Sequence, residues 1–198
     1  REFTRHLVRM RHPDAIATQS EVPEIVLLNS HDGTSSYQLL AGIFRMVCSN
    51  GMIAGDVCND IRIRHSGNVV DDVIEGSFTV LDNLNDVTER IGTYKALPLL
   101  PDEQALLANA AIGLRWGESA PVTANEVLRP RRWEDRKDDL WTVSNRLQES
   151  LIRGGNLGRN ATGRRVRTRA ITGVNEDVKL NRALWSITDH FAKMKLAA

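Results

Sequence analysis

The first third of the chain carries apolar segments with strand-like patterns. Residues 24–31, 36–50 and 52–66 form three such segments, separated by Asp32-Gly33 and by Asn50-Gly51. These dipeptides adopt positive φ at little cost, which tight antiparallel hairpins require. The pattern therefore predicts three antiparallel strands with hairpin turns at the two dipeptides.

An earlier segment, residues 1–13, also alternates, and one predicted face carries Arg5, Arg9 and Arg11. Such a face is not typical of a core strand. It fits an edge strand protected by charge or one wall of an anion-binding groove, and we favour the edge strand.

Arginines also interrupt the predicted central sheet. Arg45 lies on an otherwise apolar face, where a buried charge needs a carboxylate or a bound phosphate as partner. In the last strand, Arg62 and Arg64 share one face while Ile61 and Ile63 share the other. The sequence thus predicts alternate arginines on two strands of this sheet.

After residue 67 the apolar residues recur every three or four positions, which predicts an amphipathic helix over residues 69–94. Its predicted apolar stripe consists of Val70, Val73, Ile74, Phe78, Leu81, Leu84 and Ile91. The remainder is mostly helical in pattern, with a capping box predicted at Thr123 and Glu126. We therefore expect an α+β fold. The chain would form a single domain. Its first part (1–97) would be an antiparallel sheet with a β-β-β-α core packed by a long helix, and its second part (98–198) would be mostly helical.

The segment 153–169 is strongly basic and lies between two predicted helices. It holds four glycines and no acidic residue, and its six arginines are Arg153, Arg159, Arg164, Arg165, Arg167 and Arg169. Glycines allow close backbone approach to phosphates, and arginines neutralise them. A solvated, mobile loop is the alternative, and we favour contact with nucleic acid. Residues 158–165 lack the lysine and hydroxyl of a P-loop, which disfavours nucleotide hydrolysis.

Composition narrows the function classes further. The 198 residues carry a net charge of +1, but 21 arginines stand against five lysines, and arginine is the better phosphate ligand. Cys48 and Cys58 lack metal-ligand spacing, so we expect free thiols in a cytoplasmic protein with no cofactor. No membrane-spanning run, signal peptide or catalytic motif is evident, which favours a binding protein over an enzyme.

Three stretches, residues 24–56, 129–141 and 167–185, resemble the YfjQ/YafZ-type family of plasmids and prophages, labelled a domain of unknown function. The resemblance covers nearly the whole chain. Proteins of that family are longer at the N-terminus and this sequence lacks an initiator Met, so we expect it to start inside a longer protein. Family membership by itself implies no activity.

The order of strands and helix resembles the β-β-β-α core of the Rad-fifty-two type of single-strand annealing proteins, which assemble into rings or helical oligomers. This resemblance implies a homo-oligomer that binds single-stranded DNA along a basic groove and forms an annealed duplex without ATP or metal. It rests on topology and transfers no functional residue. The candidate DNA-binding residues therefore come from the pattern alone: Arg45, Arg62, Arg64, Arg131, Arg132, Arg153, Arg159, Arg164, Arg165, Arg167 and Arg169.

Three other functions remain open. A duplex-DNA regulator would need a recognition helix, and no helix-turn-helix pattern is evident. An inhibitor of host defence would suit the acidic helix 69–94, but the arginine excess opposes it. A metal-dependent nuclease would need a carboxylate-rich motif. Low aromatic content argues against a stacking platform, and we expect Trp116, Trp133, Trp141 and Trp185 to serve in packing.

Overall fold

The structure, a computed structural model, describes residues 5–11, 21–30, 36–46, 50–54, 61–63 and 68–197. The chain divides into two compact units, Arg1–Arg90 and Ile91–Ala198. The observed boundary, after residue 90, lies within the helix Val69–Ala96, and the predicted boundary, at residue 97, lies directly after it. That both units form one DNA-binding domain stays a prediction.

The first unit contains an antiparallel sheet, as predicted. Its order is β1-β2-β3-β4, and β5 pairs with β3 along the edge that β4 also uses. The strands are β1 (Arg5–Arg11), β2 (Glu21–Ser30), β3 (Tyr37–Arg45), β4 (Asn50–Ile53) and β5 (Ile61–Ile63). The predicted third strand is thus two shorter strands.

One predicted hairpin turn is misplaced. Asn50 pairs with Arg45 and Gly51 pairs with Phe44, so both residues belong to β4 and not to a turn. The local sequence favours a turn at Asn-Gly, but the ladder extends through it. Asp32-Gly33, the other predicted turn, lies outside the described residues.

Two arginines of β1 bind a buried carboxylate of the neighbouring strand. Glu24 of β2 is 1% exposed, and it pairs with Arg9 and, at 2.6 Å, with Nε of Arg11. Gly42 lies opposite Glu24 and gives it room, since a Cβ there would lie 3.0 Å from Glu24 Cγ. Among the described strands β1 is an outer one, so the edge-strand interpretation is confirmed. The anion that these arginines hold is part of the protein.

The long helix is confirmed as α1 (Val69–Ala96), but its predicted apolar stripe is wrong in part. Gly76 faces the sheet, since a Cβ there would lie 2.8 Å from Leu39 and 2.9 Å from Ile61. The line of positions that includes Gly76 is buried, namely Val80, Leu84, Val87, Ile91 and Tyr94. Val73, another predicted position, is half-buried. At 3.6 residues per turn, four other predicted positions lie about a third of a turn away. They are 46–68% exposed: Val70, Ile74, Phe78 and Leu81.

The second unit is mostly helical, as predicted, and also contains a two-stranded ribbon. Its helices are α2 (Pro101–Trp116), α3 (Ala124–Val127), α4 (Leu140–Arg153) and α5 (Val174–Ala197), with short 3-10 turns at Gly117–Ser119 and Glu134–Arg136. The ribbon pairs β6 (Leu157–Arg159) with β7 (Arg165–Arg167). No helix in the described part of the chain is long and apolar enough to cross a bilayer.

Helix α4 forms the centre of this unit. Every residue from Leu140 to Leu151 is buried, although seven of these twelve are polar. Asp139 caps the helix by accepting from the backbone N–H of Thr142 at 2.8 Å. On the side facing α5, the Ser144 and Thr188 hydroxyls lie 2.9 Å apart. Polar contacts between helices therefore fix how the core packs.

Contacts to α5 also come from other helices. Lys195 holds Glu103 of α2 at 2.6 Å, and this hydrogen bond lowers the pKa of the Glu103 carboxyl below its usual value. The Tyr94 hydroxyl donates to Asp189 at 2.7 Å, and the Tyr94 ring lies 5.8 Å from the Trp185 ring. The last turn of α1, α2 and α4 therefore all contact α5.

We expect Glu24→Gln to lower the free energy of unfolding of the first unit by about 2 kcal/mol. The substitution leaves two largely buried guanidinium groups without a counter-charge. Urea denaturation followed by far-UV circular dichroism measures the change. The control is Glu75→Gln, an exposed site on α1, for which we expect a change within about 0.5 kcal/mol. Equal effects of the two substitutions would contradict this assignment.

Candidate nucleic-acid interface

The basic segment 153–169 contains a β-hairpin, where the sequence predicted a loop. Leu157 pairs with Arg167 and Arg159 pairs with Arg165. In the turn, the side-chain oxygen of Asn160 accepts from the backbone N–H of Arg164 at 2.9 Å, and Gly163 takes a φ of +79°. Three-residue strands are too short for a periodicity argument. Two features of the sequence could have indicated the hairpin: the alternation Arg165-Val166-Arg167, and the Asn and Gly that flank the turn.

The hairpin places arginines together on one face. Residues directly opposite each other in a ladder share a face, so Leu157, Arg159, Arg165 and Arg167 lie on the same side of the ribbon, which we term the arginine face. All four are exposed. On the other side, Gly158 lies against the carbonyl of Pro121. The ribbon thus directs its charge outward.

The base of the ribbon is fixed to the end of α4. The amide oxygen of Asn156, a buried residue, accepts from Ser150 Oγ at 2.8 Å, and its amide nitrogen donates to the Ser150 carbonyl at 2.9 Å. Across the ribbon, the N–H of Gly155 donates to the Thr168 carbonyl at 2.8 Å. The arginine face is therefore mounted on the buried core.

Two of the glycines have a role other than the predicted one. A Cβ at Gly154 would lie 2.6 Å from the carbonyl of Arg169, and one at Gly158 would overlap Pro121. These glycines allow contact within the protein, because the chain itself occupies the space. Gly155 and Gly163 have positive φ and open surroundings, so they shape the turns of the ribbon.

Two grooves border the ribbon. One has a volume of about 630 Å³ and is lined by Ala120, Pro121, Val122, Thr123, Glu126, Leu157, Gly158, Arg159 and Arg165. The other has a volume of about 430 Å³ and is lined by Glu126, Arg129, Pro130, Arg131, Gly154, Gly155, Asn156, Leu157 and Arg167. Arginines outnumber the one carboxylate in both. Arg129, which sequence reasoning missed, is an exposed member of the smaller groove.

Glu126, which both grooves share, does not form the predicted capping box. Thr123 makes no side-chain cap hydrogen bond, and Glu126 Oε1 accepts from the backbone N–H of Leu157 at 3.3 Å. Helix α3 is only four residues long. The carboxylate instead supports the first strand of the ribbon.

The six predicted arginines of 153–169 are all exposed. Within the described residues, the side chains of Arg164, Arg165 and Arg169 make no hydrogen bond or ion pair. Three others have partners: Arg153 lies 3.4 Å from Glu149, Arg159 donates to the Gly163 carbonyl at 2.8 Å, and Arg167 donates to the Gly155 carbonyl at 3.1 Å. Donors thus remain available to a phosphate across the ribbon.

Arg132, a predicted DNA ligand, is held inside the protein instead. Its two terminal nitrogens each lie 2.6 Å from an oxygen of Glu149, and one is also 3.1 Å from Asp135. Both carboxylates are buried. Arg131 donates to the Gly154 carbonyl at 2.8 Å and remains exposed at the smaller groove. Only Arg131 of this pair is placed to meet a ligand.

The tryptophans differ from one another in exposure. Trp141 and Trp185 are buried, in line with the packing role predicted for them. Trp133 is 75% exposed, so the same prediction is wrong for it, and the Arg136 guanidinium lies 4.8 Å from its ring centroid. Trp116 is half-buried beneath Arg115 at 4.5 Å. Burial lowers the pKa of Arg115, although the nearby Glu176 opposes the shift.

The arginines predicted on the sheet are not brought together. Arg45 is 6% exposed and lies opposite Glu21, which favours the carboxylate over the phosphate as its partner. Arg62 is exposed and lies opposite Gln38, near the other end of β3. Alternation along β3 puts positions 45 and 38 on opposite faces. Arg64, Cys48 and Cys58 lie outside the described residues. Within the described residues, no group of three His, Cys, Asp or Glu side chains is arranged to hold a metal ion.

We expect Arg132→Ala to destabilise the second unit by about 3 kcal/mol, because it removes the cation that contacts two buried carboxylates and leaves Glu149 with the longer contact, 3.4 Å, to the exposed Arg153. All four tryptophans lie in this unit, so urea denaturation followed by tryptophan fluorescence reports its stability. The control is Arg165→Ala, whose guanidinium has no partner in the described residues. It should change stability by less than about 0.5 kcal/mol. A loss at Arg165 as large as that at Arg132 would contradict the distinction.

Comparison with known proteins gives the family. The family model described as "Domain of unknown function (DUF932)" matches residues 1–185. UPF0380 protein YafZ and UPF0380 protein YfjQ, both of Escherichia coli (strain K12), are each 50% identical to this chain over 190 residues, which is 96% of the chain and 69% of either relative. No solved structure matches the chain. The predicted YfjQ/YafZ-type relationship is thus confirmed, and the chain belongs to the DUF932 family of unknown function.

Proposed function

We propose that this protein binds single-stranded DNA through the arginine face and pairs complementary strands without nucleotide or metal. In this proposal it acts as a homo-oligomer in the cytoplasm, on the DNA of a plasmid or phage. The observation that carries the proposal is the ribbon, which presents Arg159, Arg165 and Arg167 on one exposed face and Arg164 at the turn.

The chemistry of the arginine face suits phosphate. Guanidinium groups donate two parallel hydrogen bonds to a phosphate and remain charged at all physiological pH values. Contacts to the backbone position a strand without reading its sequence. Base edges then stay free to pair with a second strand, which annealing requires.

The topology of the first unit also supports annealing. Successive antiparallel strands are followed by α1, which packs on the sheet through Gly76. The predicted order of three strands and a helix resembles the Rad-fifty-two type of annealing proteins, and in the structure five described strands precede α1. Residues 158–165, which partly match a P-loop, form a hairpin strand and its turn, whereas a P-loop leads from a strand into a helix. Pairing by charge neutralisation needs no nucleotide.

A duplex-DNA regulator is the second candidate, and the ribbon itself favours it. The major groove of B-DNA is about 12 Å wide and admits a two-stranded ribbon. Ribbon proteins place side chains of one face against base edges there. In that case affinity would depend on the base sequence and would be higher for duplex than for single strands.

We expect the wild type to accelerate pairing of complementary oligonucleotides in EDTA, measured by fluorescence. Arg164→Ala/Arg165→Ala removes two cations that have no partner in the described residues, so it should slow pairing. It should also make the slope of log K for single-strand binding against log salt concentration shallower by about 1.4, at about 0.7 per contact. The control, Lys95→Ala/Lys179→Ala, removes the same charge from exposed sites on α1 and α5. It should leave both quantities close to wild type.

Two outcomes would contradict this proposal. Pairing at the spontaneous rate, together with tight duplex binding, would favour the regulator. An equal loss of salt dependence in both double variants would show that binding follows net charge and not the arginine face.

For the homo-oligomer, the supporting observation is the exposed apolar stripe of α1, which contains Val70, Ile74, Phe78 and Leu81. Apolar surface of this kind is stabilised by association. We expect sedimentation velocity to show oligomers at micromolar concentration and Phe78→Asp to dissociate them, while Glu75→Gln on the same helix leaves them intact. A wild-type monomer with and without DNA would refute the expectation.

A further inference from the structure

We propose that Trp133 stacks on an unpaired base of the strand that the arginine face holds. This inference rests on the proposed single-strand binding and adds a second kind of contact to it. The sequence predicted a packing role for Trp133, and its 75% exposure is inconsistent with that role.

The indole is oriented although it is exposed. The guanidinium of Arg136 lies 4.8 Å from the ring centroid, within the range of a cation–π contact. Because three quarters of the residue remains accessible, the guanidinium covers only part of the aromatic surface. The ring is therefore pre-positioned and still open to a planar ligand.

The backbone that carries the indole is anchored on both sides. Arg132 precedes Trp133 and is held by Glu149 at 2.6 Å, while Asp135 follows and is 1% exposed. The N–H of Arg136 donates to the Trp133 carbonyl at 3.1 Å and closes the turn. Stacking on a fixed ring costs less conformational entropy than stacking on a mobile one.

The same segment connects the indole to the ribbon. Arg131 donates to the Gly154 carbonyl at the ribbon base, and it lines the smaller groove together with Arg167. Trp133 is two residues from Arg131, so their Cα atoms are within about 7 Å of each other. A strand whose phosphates contact the arginine face along this groove passes close to the indole.

The chemistry of stacking fits an annealing protein. Every base has a π-face, so an aromatic ring binds bases with little regard to sequence. Stacking leaves the Watson–Crick edge free, whereas the bases of a duplex are already stacked on each other. Trp133 would therefore favour single strands over duplex without blocking pairing.

The test compares a 12-mer of thymidine with a 12-mer of abasic sugar-phosphate, which keeps the phosphates and lacks the bases. We expect Trp133→Leu to weaken binding of the thymidine 12-mer by about five-fold or more and to leave binding of the abasic 12-mer unchanged. Trp133→Tyr, which retains a ring, should restore most of the loss. Leu106→Ala, an exposed apolar site on α2, is the control and should match the wild type on both ligands.

Each alternative outcome has a distinct meaning. Equal loss on both 12-mers, or no loss on thymidine, overturns the stacking inference while single-strand binding stands. Failure of the wild type to bind either 12-mer overturns the proposed function together with this inference. Since Trp133 is exposed, circular dichroism should show the wild-type fold in both of its variants.

Discussion

The ion pair between Glu149 and Arg132 is the constraint on which the second unit depends. Helix α4 is buried on all sides from Leu140 to Leu151, so its polar side chains are stabilised by partners within the protein. Glu149 obtains two charge-assisted hydrogen bonds from Arg132. Ser150 bonds Asn156 at the ribbon base, and Ser144 contacts Thr188 of α5. Each of these partners belongs to a different neighbouring segment, so satisfying α4 fixes the arrangement around it.

This arrangement gives the surface groups their rigidity. The segment that carries Trp133 is fixed by Arg132, and the ribbon is fixed by Asn156, so both exposed features are mounted on the same helix through separate contacts. A binding surface built on such supports loses little entropy when a ligand arrives. The buried polar contacts of α4 therefore hold in place the segments that carry the exposed cations and the exposed indole.

Local sequence was sufficient to place the sheet and α1 along the chain. It was insufficient where a distant partner decides. The two apolar stripes of α1 have similar composition, and the close approach of Gly76 to Leu39 and Ile61 marks the buried one. Arg132 resembles any exposed arginine until Glu149, 17 residues later, is placed beside it. The exposure of the arginines of 153–169 was predictable, because six cations in a segment that contains no acidic residue cannot all be buried.

The geometry of the ribbon bears on the proposed role of its arginines. Arg159 and Arg165 are directly opposite each other, and like charges in such a pair destabilise a two-stranded ribbon. The ribbon itself is short, so it depends on Asn156, Glu126 and the Pro121 carbonyl to remain paired. Charges scattered over any surface would give the same solubility without this repulsion. An anion bound between the arginines would remove the repulsion, and this is the physical argument on which the proposed phosphate binding rests.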